Sequence, residues 1–142
     1  MLLNIIKVSY IIKMRYPLDE LLDKTSIIQL KFERLEHLED RNRWANEMRE
    51  YSTAIGEYIG EKICNYNQIE EWFDKLYDIN GKIWDLEAAI RQGKDEELGL
   101  EEIGRRAIKI RETNGIRVKI KSEIVDAIGR GYKDIKMNHI SE

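Results

Sequence analysis

From Pro17 onward, apolar residues recur every three or four positions, the spacing that gathers them on one face of an α-helix. Leu18, Leu21, Leu22, Thr25, Ile28, Phe32, Leu35 and Leu38 form the first stripe. Pro17 stands where a helix's first turn accepts proline, and Asp19 and Glu20 follow in the turn that favours acids. A second stripe runs through Trp44, Met48, Tyr51, Ile55, Ile59 and Ile63, behind a cap expected at Asp40 or Asn42. These two segments also read as one continuous rod. Gly60 and Asn65-Tyr66-Asn67 then predict a turn, because glycine and asparagine weaken a helix.

The third stripe is the most regular: Ile69, Trp72, Leu76, Ile79, Ile83, Leu86 and Ile90 alternate spacings of three and four, a coiled-coil-like seam. Its stop is expected at Gly93 within the charged run Gln92 to Glu97. A fourth helix resumes near Leu100 and runs to about Ile128, with Gly129 and Gly131 as its stop. The fold class predicted is all-α, an antiparallel bundle of three to four long helices over residues 14–130. Residues 131–142 read as a tail.

Residues 1–13 are different. Ile5, Ile6, Val8, Ile11 and Ile12 are β-branched and favour an extended arm packed on the domain. Lys7 interrupts the segment, which is too short for a membrane span, and it lacks the cleavage pattern of a secretory signal. A start at Met14 would remove it.

Composition narrows the function classes. One proline in 142 residues, where average usage predicts roughly 7, leaves few obligatory helix breaks. A single cysteine excludes an internal disulfide framework and a Cys-rich zinc site, which fits a reducing cytoplasm. Twenty-four basic against 27 acidic residues argues against a general nucleic-acid or anionic-membrane surface.

The candidate chemistry lies where a seam should be apolar. Continuing the spacing from Ile103 gives Ala107, Ile110, Asn114, Arg117, Lys121, Ile124 and Ile128, so three consecutive stripe positions are polar. On the third helix Asn80, Trp84, Glu87 and Arg91 share a face beside the seam, and Asp23 and Lys24 sit early on the first. Polar groups that enter a bundle must be paired, since an isolated charge out of water is costly. Two accounts compete. In one, interhelical ion pairs and amide hydrogen bonds set register. In the other, Arg117, Lys121 and Arg91 hold a small anionic ligand, Asn80 and Asn114 read its polar groups and Trp84 is a flat wall. Two positive charges in excess, four cations against Asp23 and Glu87, would favour the second.

Other constellations are weaker. Glu70, Glu71 and Asp74 on the third helix with Glu123 and Asp126 on the fourth could hold Mg²⁺ for phosphate chemistry. They faintly resemble the paired acidic motifs of all-α nucleotide pyrophosphatases. His37 and His139 are too isolated for a metal site, Cys64 has no base nearby in sequence, and no nucleophile motif stands in the chain.

Three stretches taken together resemble a family. They are Pro17 to Lys24 with Ile28, Lys31, Glu33 and Arg34; Leu76 to Asn80 with Ile83 to Glu87 and Ile90-Arg91; and Thr113-Asn114 with Arg117, Lys121 and Ile124. The family is one of short helical bacterial proteins of unknown function that often accompany lipopolysaccharide and other envelope-glycan genes. The likeness spans most of residues 15–128, and weakens from Leu38 to Asn67 and after Gly129. It implies a helical fold and a genomic setting, but no activity.

The functional expectation is therefore a non-catalytic, cytoplasmic binding or assembly protein with a polar interhelical site. Exposed seams could support a homodimer. The alternative is a Mg²⁺-dependent nucleotide or sugar-phosphate hydrolase.

Overall fold

The computed structural model describes residues 15–91 and 95–129, with the side chains of Arg91, Asp95 and Glu96 left aside. The expected arm over residues 1–13, the stops at Gly93 and Gly131 and the tail over residues 131–142 lie outside the described residues. Four helices make up the rest: α1 (Leu18–Arg34), α2 (Leu38–Gly60), α3 (Tyr66–Arg91) and α4 (Asp95–Ile128). The all-α bundle is thus the architecture, and among the described residues no strand occurs. No described helix is long and apolar enough to cross a membrane.

α1 is the central element, packed against each of the other three, while α3 also packs on α4. It starts immediately after Pro17, and the Leu21 amide donates to the Pro17 carbonyl at 3.0 Å. Leu18, Leu21, Leu22, Ile28 and Leu30 are buried, as is Thr25, whose hydroxyl donates to the Leu21 carbonyl at 2.6 Å and so needs no outside partner.

The first two helices are separate. Leu35 is extended (φ -113°, ψ 138°) and α2 begins at Leu38, so the single rod is not formed. Phe32 and Trp44 meet edge to face with ring centroids 5.9 Å apart, which holds the fold-back closed. Leu38 is 78% exposed rather than part of the buried stripe, because the break at Leu35 changes its phase. Asp40 and Asn42 lie inside α2 rather than capping it, and no side chain caps that end.

The turn before α3 is built by a reciprocal pair. The Gln68 amide donates to Asn65 Oδ1 and the Asn65 amide to Gln68 Oε1, both at 2.9 Å, the arrangement of a capping box. Ile69, Trp72, Leu76 and Ile79 are buried as the seam predicts, against Leu18, Leu22, Tyr58, Ile120 and Ile124 in one core. Cys64 lies in that core, and burial pushes its thiol up from the ordinary range. Ile83, Leu86 and Ile90 are only half-buried.

α4 bends at Gly99, whose φ of 75° and ψ of 157° are not helical, so its unbroken part begins at Leu100. Gly129, at φ 66°, ends it by donating to the Val125 carbonyl at 3.0 Å, a left-handed stop suited to glycine.

Candidate functional site

The polar positions of α1, α3 and α4 meet at Asp23. Helical spacing puts Asp23 on the buried face of α1 between Leu22 and Ser26, and it is only 2% exposed. Arg117 of α4 approaches with two donors: Nε lies 2.9 Å from Oδ1, and Nη2 donates to Oδ2. Such a fork on a carboxylate fixes both distance and plane. Asn80 of α3 donates through Nδ2 to Asp23 Oδ1 at 2.9 Å and to Ser26 Oγ at 2.8 Å, and the Ser26 hydroxyl itself donates to the Asp23 carbonyl at 2.7 Å. Arg117 Nη1 donates to Asn114 Oδ1 at 3.1 Å. One carboxylate therefore ties three helices.

Burial alone pushes the Asp23 carboxyl up, but hydrogen bonds from Arg117 and Asn80, with the positive charges of Arg117 and Lys121, outweigh it and hold the group below the ordinary range. One turn earlier on α1, Lys121 donates to Glu20 Oε1 at 2.6 Å; the lysine side chain is 7% exposed and the glutamate 33%. α1 and α4 thus run antiparallel, since Glu20 and Asp23 meet Lys121 and Arg117 in reverse order. Asp19, 3% exposed, completes the group, and its Oδ1 has no hydrogen-bond partner. Burial and the charge of Glu20 push its carboxyl up, against the pull of Lys121.

Beside this network a cleft of about 290 Å³ lies between α1, α3 and α4. Asn80, Asn114 and Arg117 form its polar side, Glu87 adds a carboxylate, and Trp84, Ile83, Ile27 and Leu30 supply the apolar wall. Arg34 stands 5.9 Å from the Trp84 ring centroid and pairs with Asp85 at 2.6 Å, which braces that wall. Tyr77 donates to Glu33 Oε1 nearby.

The structure sorts the expected stripe into three groups. Asp23, Asn80, Asn114 and Arg117 come together, and Trp84 and Glu87 line the cleft next to them. Lys121 joins through α1 rather than through the cleft. Lys24 is elsewhere: its Nζ lies 5.3 Å from the Tyr16 ring centroid. The side chain of Arg91 lies outside the described residues. Asp19 and Glu20 add carboxyl groups around Asp23 on the α1 side, next to Arg117 and Lys121.

Compared with family models, curated proteins and solved structures, the chain finds no match.

Three members of the network carry weak sequence signals. Ser26 follows Leu22 by four, where the stripe calls for an apolar residue, and Asp19 and Glu20 read as ordinary first-turn acids. The five carboxylates of the Mg²⁺ alternative, Glu70, Glu71, Asp74, Glu123 and Asp126, are all exposed. Glu71 pairs with Lys75 at 3.3 Å. Among the described residues, only His37, Glu39 and Asp40 form a group of three whose ligand atoms lie within 4.8 Å of one another, at the exposed start of α2. His37 is thus less isolated than its sequence position implies.

A larger cavity of about 500 Å³ lies on the other side of α1, lined by Arg15, Tyr16, Arg49, Tyr51 and Glu57 among others. Arg15 is already held there by Glu57 at 3.2 Å and by Glu61, and it lies 3.9 Å from the Tyr58 ring centroid. None of Asp23, Asn80, Trp84, Glu87, Asn114, Arg117 and Lys121 contributes to it.

Proposed function

We propose that this chain is a non-catalytic binding protein in which the Asp23 network sets the register of α1, α3 and α4, and the adjoining cleft takes a small neutral polar ligand, a saccharide unit. The observation that carries this reading is the engagement of both network cations: Arg117 is forked on Asp23 and Lys121 lies on Glu20. Their charge is spent inside the protein, which removes the main attraction for an anion. The cleft keeps amide, carboxylate and guanidinium groups beside an indole. That combination suits a ring with one apolar face for stacking and hydroxyls at its edge.

The test is a thermal-shift and calorimetric panel of neutral hexoses and N-acetylhexosamines, with inorganic phosphate and sulfate as anionic probes. At least one neutral saccharide should stabilise the wild-type chain and fail to stabilise Trp84→Ala, while the anions leave both unchanged. Stabilisation by phosphate alone would return the cleft to an anion site. No response to any saccharide would leave the network as a structural lock and remove the ligand from this reading.

A further inference from the structure

From Lys82 to Glu112 the chain builds the far half of α3 and the near half of α4, and no described side chain in that stretch is buried. Eight leucines and isoleucines lie in it. A two-helix arm with this much incompletely covered apolar surface calls for a partner. The most open part is the outer face of α4. Leu100 is 89% exposed and Ile108 49%, and they stand four residues to either side of Gly104 on one helical face. A Cβ built on Gly104 would meet nothing within 4 Å.

The charge along this helix is divided at the same glycine. Glu101 and Glu102 on the unbroken helix, with Glu97 ahead of the bend at Gly99, precede Gly104 with no base from residue 95 to 102, and Arg105, Arg106, Lys109 and Arg111 follow with no acid from residue 103 to 111. A helix so divided is complementary to itself only when turned end for end. We propose that this face docks on a second copy of the chain, with the two α4 helices antiparallel about a two-fold axis at Gly104. In that register Leu100 of each copy faces Ile108 of the other, and each acidic half lies along a basic half. A parallel pairing would set acid on acid and base on base. The intrahelical pair Glu101 to Arg105 at 2.7 Å is exposed and that of Glu102 to Arg106 at 3.1 Å half-buried; pairs of this kind are weak, so their members can exchange partners across the axis. Closed two-fold contact uses the same patch on both copies, as this surface does. The charges fix the orientation, and the leucine and isoleucine contacts supply the affinity.

Sedimentation velocity of the full chain at micromolar concentration tests this. The wild type should sediment as a dimer, and Leu100→Asp/Ile108→Asp as a monomer with unchanged helical circular dichroism. Leu38→Asp, at an equally open leucine of α2, should remain dimeric. A monomeric wild type overturns the proposal and leaves the face to a different protein. A dimer that survives the double substitution overturns it by placing the contact elsewhere. If the double variant loses helicity, the triple variant Glu97→Lys/Glu101→Lys/Glu102→Lys decides, since it sets base against base. Its dimer should be at least roughly tenfold weaker, and an unchanged dissociation constant overturns the proposal.

Discussion

Asp23 and Arg117 lie 94 positions apart in the chain, and the guanidinium of one grips the buried carboxylate of the other through two donors. The contact joins the first turns of α1 to the second half of α4, and Asn80 closes it from α3. Apolar contacts along three helices tolerate sliding. A forked ion pair in their midst does not, because a shift of one residue removes both donors from a carboxylate that has left water.

Arg117→Ala should therefore cost far more than an exposed arginine does. It leaves the buried Asp23 carboxylate with the Asn80 amide as its side-chain donor among the described residues, and breaking a buried pair from one side typically costs about 3 to 5 kcal/mol. The arginine side chain is itself 26% exposed, so the loss should fall near the lower end, about 3 kcal/mol. Replacing both partners, as Asp23→Leu/Arg117→Met, should recover most of that loss, since no charge is then stranded. Urea unfolding of the three proteins measures it. A single variant within about 1 kcal/mol of wild type would mean that the pair locks nothing.

The same pair sets a pH dependence. Asp23 is held below its ordinary range in the folded chain, so the unfolded chain binds its proton more readily. Its contribution is full above the unfolded value, about 3.9, and is lost as pH falls through the lower folded value. Acid titration of the unfolding midpoint should show a loss below about pH 4 that Asp23→Asn reduces. A wild-type profile that matches the variant's in that window would contradict this assignment.

Much of this arrangement could be read from the chain. The spacing of three and four placed the helices because burial acts on a face, and one face of each helix is what the period describes. It also singled out Asn114, Arg117 and Lys121 as polar intruders on a buried stripe. It could not pair them. Arg117 finds Asp23 only after α4 folds back along α1, and a carboxylate 94 residues away leaves no local trace. Lys24 adjoins Asp23 in the chain, yet consecutive helical residues diverge by about 100°, and it faces Tyr16 instead. Asp19 and Glu20 were hidden for the opposite reason, since acids in a first turn already have a local explanation.

The Asn65 box makes a prediction that does not depend on the network. Its two reciprocal bonds satisfy amides at the start of α3 that the helix itself cannot. Asn65→Ala should cost about 1 kcal/mol, and Asn65→Asp should keep most of the stability because the carboxylate can still accept from the Gln68 amide. Thermal unfolding of both, with circular dichroism at low temperature, reads the difference. Equal losses in the two variants would show that the side-chain oxygen is not what matters.

Asp19 has the opposite sign to Asp23 one turn away. It is almost fully withdrawn from water, one oxygen has no hydrogen-bond partner, and burial with the charge of Glu20 pushes its carboxyl up. A carboxyl raised in the folded chain stabilises only while protonated. Its contribution is full below the unfolded value, about 3.9, and disappears as pH rises through the folded value. Asp19→Asn removes that titration while keeping the shape of the side chain, and Lys121 retains Glu20 as its partner. The variant should gain stability relative to wild type as pH rises from about 4 toward neutrality. Subtracting one unfolding profile from the other isolates Asp19, because Asp23 is present in both. If the difference stays flat across that range, Asp19 is ionised as readily in the folded chain as in the unfolded one, and Lys121 fully compensates its burial.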